Sequence, residues 1–100
     1  MKIKTSIICP QCKNGEIVIK EEDKNGNPSD ELIASFENGV VKQEPKDLYN
    51  GSDSFLVVKC SKCDANFEIN YDNELVYWGL DMQDYIYKNS DWVETGKWGN

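Results

Sequence analysis

Cys9-Pro10-Gln11-Cys12-Lys13-Asn14-Gly15-Glu16-Ile17-Val18-Ile19 and Cys60-Ser61-Lys62-Cys63-Asp64-Ala65-Asn66-Phe67-Glu68-Ile69-Asn70 are two versions of one pattern, offset by 51 residues. Each opens on a cysteine pair with two residues between. At that spacing a tight turn can aim both sulfurs at one tetrahedral metal, and two such turns complete a four-thiolate zinc site from Cys9, Cys12, Cys60 and Cys63. These are all the cysteines of the chain. Three residues beyond each pair stand Gly15 and Asn66, the residue types that most readily accept positive φ, so the spacing predicts that each turn closes through them. Backbone N–H groups of the turns should point at the sulfurs, with Lys13, Lys59 and Lys62 near enough in sequence to offset thiolate charge or simply to be solvated.

Strand, CPxC turn, strand, followed later by strand, CxxC turn, strand, resembles the zinc-ribbon superfamily. In that superfamily two hairpin-like knuckles clamp one structural zinc. The resemblance covers Ile3–Lys20 and Phe55–Trp78, and it implies a scaffold rather than an activity, because such ribbons serve transcription, translation, RNA modification and pure protein interaction. Redox chemistry and disulfides are the competing readings. A redox CxxC belongs at a strand-to-helix junction, where a helix N-terminus lowers a thiol pKa, whereas both pairs here run into β-patterned segments. The N-terminal Met1–Ile8 stretch lacks the long apolar run of a secretion signal, and no stretch approaches the ~20 apolar residues of a membrane span. The expected setting is therefore a reducing cytoplasm, where paired CxxC motifs favour metal over disulfide.

One hundred residues make one domain with a modest core, for which a structural metal is the expected supplement. The expected fold is mainly β: an antiparallel zinc-ribbon-like sheet with knuckles at 7–20 and 58–71, an insertion at 21–54 and a C-terminal extension at 79–100. Lys2–Ile8 leads into the first knuckle and Glu16–Lys20 returns from it. Glu21–Ser29 reads as a polar loop. Asn38-Gly39 lies between Ile33–Glu37 and Val40–Gln43, a strong two-residue hairpin signal. After the second knuckle Phe67, Ile69 and Tyr71 alternate with Glu68, Asn70 and Asp72, so the first three are assigned to the core. Glu74–Trp78 is a further strand. Asp81 can cap a short helix through Lys88, with Met82, Tyr85 and Ile86 on one side, although the alternation of Tyr85 and Tyr87 also fits a strand. Trp92–Thr95 reads as an edge strand.

Charge narrows the function. Eighteen acidic residues stand against eleven basic ones, every basic residue is a lysine, and there is no histidine. Four thiolates and Zn²⁺ would carry the formal −7 to about −9. No Ser-His-Asp triad or arginine clamp can be assembled, nor can a guanidinium read a base edge, so the chain is expected to be no enzyme and a poor nucleic-acid binder. Of the 11 aromatic residues, eight lie from Phe67 to Trp98, interleaved with Asp72, Glu74, Asp81, Asp84, Asp91 and Glu94. Large rings among acids suit a basic protein partner, with Asp81, Asp84, Trp92 and Trp98 as the contact candidates; the same rings equally suit the sheet's own core. The alternative is a nucleic-acid ribbon using Lys2, Lys4, Lys13 and Lys20.

Overall fold

The computed structural model describes residues 2–47, 53–79 and 83–97. All regular structure there is antiparallel β, as the alternating and β-branched runs require. β1 (Lys2–Ile8) and β2 (Glu16–Glu22) form the first hairpin, and β5 (Phe55–Cys60) pairs with the far side of β2, giving a sheet of order β1-β2-β5. β6 (Asn66–Ile69), β7 (Leu75–Trp78), β8 (Gln83–Lys88) and β9 (Asp91–Lys97) form a four-stranded meander. The second cysteine turn is thus no hydrogen-bonded hairpin. Its entering strand belongs to one sheet and its leaving strand to the other.

Between them, β3 (Leu32–Glu37) and β4 (Val40–Pro45) make a separate two-stranded sheet closed by Asn38-Gly39. Glu37 and Val40 are in register and both turn residues have positive φ (55° and 79°), the primed turn whose twist matches that of the strands. The inserted hairpin ties the larger sheets together. At one end the Glu21 carboxylate accepts from the Glu31 and Leu32 N–H groups (2.6 and 3.0 Å); at the other, Val41 N–H donates to the Asn73 carbonyl at 2.7 Å.

One core lies where the three sheets meet. Ile7, Ile17 and Ile19, Val41, Val58 and Leu75 contribute to it, and so does Cys9. Cross-strand register separates the faces of the first sheet: Ile3, Ile19 and Val58 stand inward, while Lys2 lies opposite Lys20 and Val18 opposite both Lys4 and Lys59 on the outer face. Val18 is nonetheless only 4% exposed, as expected where aliphatic lysine stems lie over an apolar neighbour.

Several expectations are corrected. The helix considered over 81–88 is strand β8 across its described part, because Tyr85 and Ile86 pair across to Tyr77 and Val76, and a second primed turn at Asn89-Ser90 (φ 52° and 65°) returns the chain as β9. Glu21 and Glu22 extend β2 rather than opening a loop, and Glu21 is buried. Tyr71 is fully exposed: β6 ends at Ile69, and Asn70 Oδ1 accepts from the Asp72 and Glu74 N–H groups to cap a turn, which breaks the alternation one step before the tyrosine.

Candidate metal centre

The first knuckle is built by the backbone. Cys9 N–H donates to the Gly15 carbonyl at 2.8 Å and Lys13 N–H to the Cys9 carbonyl at 3.0 Å, which folds the chain back within seven residues. Positive φ falls on Lys13 (60°), not on Gly15, and in the second knuckle Asn66 simply starts β6. Gly15 is required for a different reason: a Cβ there would collide with Cys60 Sγ, so the glycine lets the second knuckle close onto the first. The knuckles are also latched by Ser61, whose N–H donates to the Glu16 carbonyl and whose Oγ accepts from Glu16 N–H, both at 3.0 Å.

These contacts bring all four sulfurs within 4.8 Å of one another. Cys9 Sγ lies 3.6 Å from Cys63 Sγ and Cys12 Sγ lies 3.6 Å from Cys60 Sγ. Zn–S bonds of about 2.3 Å at tetrahedral angles would set sulfurs about 3.8 Å apart, so the four thiols fit one tetrahedral ion with little movement. The donor set is all sulfur, which suits a soft or borderline metal and leaves no fourth position for water. Both of these 3.6 Å pairs join the two knuckles, so a bound ion would be a cross-link between segments far apart in sequence.

The electrostatics favour thiolates unequally. N–H groups of Asn14 and Gly15 face Cys12 Sγ and lower its pKa to about 6. Burial pushes the Cys63 thiol up to about 12 and raises that of Cys9, against the N–H groups of Ala65 and of Cys12 and Gln11 respectively. Lys62 N–H donates to Cys60 Sγ at 3.3 Å. The turns therefore do aim backbone donors at every sulfur. Lysine side chains contribute less than expected, since Lys59 is engaged by Glu22 Oε2 at 3.3 Å on the outer face of the sheet.

The partner-contact candidates separate. Asp81 and Trp98 lie outside the described residues. Asp84 is half-buried on β8. Trp92 is half-buried and packs among Phe67, Tyr77 and Tyr87, with ring centroids 5.9, 6.1 and 5.3 Å away. Its outer edge still lines an open groove of ≈ 470 Å³ with Tyr85 and with Pro10, Gln11 and Lys13 of the first knuckle. Tyr77 Oη donates to Gln11 Oε1 at 3.3 Å across the base of this junction. The lysine group rearranges as well: Lys2, Lys4, Lys20 and Lys59 share one sheet face, and Lys13 lies instead at the aromatic groove.

Sequence reasoning missed Glu21. A carboxylate in a β-branched run can face the core only if something donates to it, and its donors come from a segment ten residues on. Comparison with models of protein families, with curated proteins and with solved structures finds no match. No helix among the described residues is long and apolar enough to cross a membrane.

Proposed function

We propose that the four cysteines hold one structural Zn²⁺ in a zinc-ribbon-like scaffold, and that the protein is an interaction module for a basic protein partner in a reducing, cytoplasmic setting, performing no chemistry. The clustering of four free thiols within 4.8 Å of one another carries the zinc reading. Metal analysis of protein purified from a reducing cytoplasm tests it: one zinc per chain is expected, and two disulfides would overturn it. The groove beside the first knuckle supports the binding reading. It joins the half-buried Trp92 and Tyr85 rings to an acidic molecule, and rings in a partly desolvated groove supply affinity while charge speeds encounter. Charge reversal at Asp81 and Asp84 should lower the association rate with the partner and flatten its salt dependence. Lys13→Glu, at the lip of the groove, should raise the association rate. Unchanged rates in both variants would remove the groove from the contact.

One observation favours a second reading. Lys2, Lys4, Lys20 and Lys59 lie on one face of the first sheet, where a phosphate backbone could lie, although Glu22 engages Lys59. Tight, steeply salt-dependent binding of DNA or RNA, lost in Lys2→Glu/Lys20→Glu, would move the assignment to a nucleic-acid ribbon.

A further inference from the structure

Among the described residues, each of the two larger sheets ends on two strands that have a neighbour on one side only. An open edge is a template for pairing with another chain, and proteins usually blunt it with lysines, bulges or twist. β1 and β9 are blunted. β1 carries Lys2 and Lys4 and an irregular register at Ser6 (φ 62°), and β9 has its register broken opposite Asp84/Tyr85, beside Glu94. β5 and β6 are not. β5 reads Phe-Leu-Val-Val-Lys-Cys and β6 reads Asn-Phe-Glu-Ile, without bulge or proline, and their free sides flank a common groove.

The groove consists of two hollows of ≈ 380 Å³ each that share Val57, Val58 and Phe67 and run from Ser54 to the second knuckle. Consecutive residues line it: 54 to 58 on one side and 67 to 70 on the other. Successive side chains of a strand point to opposite faces, so an unbroken run along a hollow means that the backbone edge itself looks into it. No backbone partner occupies either free edge among the described residues. Phe55, 48% exposed, stands at the far mouth. The charges at the lips are acidic, Asp64 and Glu68, since Lys59 is held by Glu22.

We propose that the β5–β6 groove receives an extended, basic segment of a partner protein, which adds as a strand to one of the two open edges. Main-chain hydrogen bonds to β5 or β6 supply the anchoring, alternate apolar side chains enter toward Val58 and Phe67, and the outward lysines or arginines meet Asp64 and Glu68. The basic character of the occupant rests on the interaction reading above; the location and the strand geometry do not.

The test uses the metal-loaded full chain and a phage-displayed library of random heptapeptides. Enriched peptides should be free of proline and alternate apolar with basic residues. Added to isotope-labelled protein, they should slow hydrogen exchange at least tenfold at every second amide of Phe55–Lys59 or of Asn66–Ile69. Glu68→Lys, an exposed position that leaves the fold intact, should weaken them at least fivefold. Failure to enrich any peptide, or protection confined to 84–94, overturns the strand-addition site, and the second outcome leaves the basic-partner reading standing. Protection of the same amides on raising protein concentration without peptide assigns the groove to a second copy of this chain and overturns the proposal. Enrichment of acidic peptides alone overturns both readings.

Discussion

A methyl group at position 15 would fall inside the contact radius of Cys60 Sγ, and this fixes what that residue does. Gly15→Ala must push the knuckles apart, so metal affinity should fall by tenfold or more, about 1.4 kcal/mol, in competition with a chromogenic chelator. Substituting Lys13, the residue that bears the positive φ, by glycine should leave affinity unchanged. The thiols make a second prediction. At neutral pH the metal-free protein keeps protons on Cys63, pushed up to about 12, and on Cys9, also raised, while Cys12, lowered to about 6, is already largely thiolate. Metal must displace the remaining protons, so affinity rises with pH. Between pH 7 and 8 the logarithm of the association constant should climb by at least two per pH unit, one for each proton displaced from Cys9 and Cys63, and more steeply below pH 6, where Cys12 also holds a proton. Titrations in buffers of different ionisation enthalpy would count the protons released.

The inserted hairpin behaves as a brace because of where its hydrogen bonds end. Its start is held by a buried carboxylate on β2 and its return strand by the Asn73 carbonyl in the β6–β7 turn, so two sheets are joined through β3 and β4. Glu21→Ala would leave the Glu31 and Leu32 N–H groups without their acceptor, one of them beside a leucine 7% exposed. That costs roughly 1–3 kcal/mol, and Glu21→Gln, which keeps an acceptor oxygen, should cost less. Urea denaturation monitored by tryptophan fluorescence checks both. A loss confined to exchange rates in β3 and β4, with global stability unchanged, would show that the hairpin is an appendage instead.

At the scale of the molecule, the cysteine cluster is part of the only extensive core among the described residues. Cys9 is fully buried beside Ile7, Ile17 and Leu75, and Cys12, Cys60 and Cys63 pack against the same group. A structural zinc contributes on the order of 10–16 kcal/mol in zinc-finger peptides, as much as the roughly 5–15 kcal/mol of net stability that a whole domain retains. Chelation should therefore unfold all three sheets together. Far-UV dichroism and amide protection in β7 and β8 are expected to be lost in one transition with metal release. Retention of protected β7 and β8 amides after the metal has left would contradict this coupling.

Sequence by itself determined the features that depend on local chemistry. Cysteine spacing located the four thiols, β-branched runs located most strands, and Asn38-Gly39 located a turn, because each of these is decided by the geometry of a few consecutive residues. The tertiary structure decided what depends on partners distant in the chain. Gly15 is a glycine because of Cys60, Glu21 is buried because Glu31 and Leu32 donate to it, and β8 is a strand because Tyr77 and Val76 pair with it. Tyr71 lies in water because a side-chain amide caps the turn before the alternation can reach it. The assignment of β5 and β6 to different sheets, which opens the groove between them, was likewise settled only by pairing. Hydrogen-bond partners across a sheet leave no mark on either strand's own periodicity.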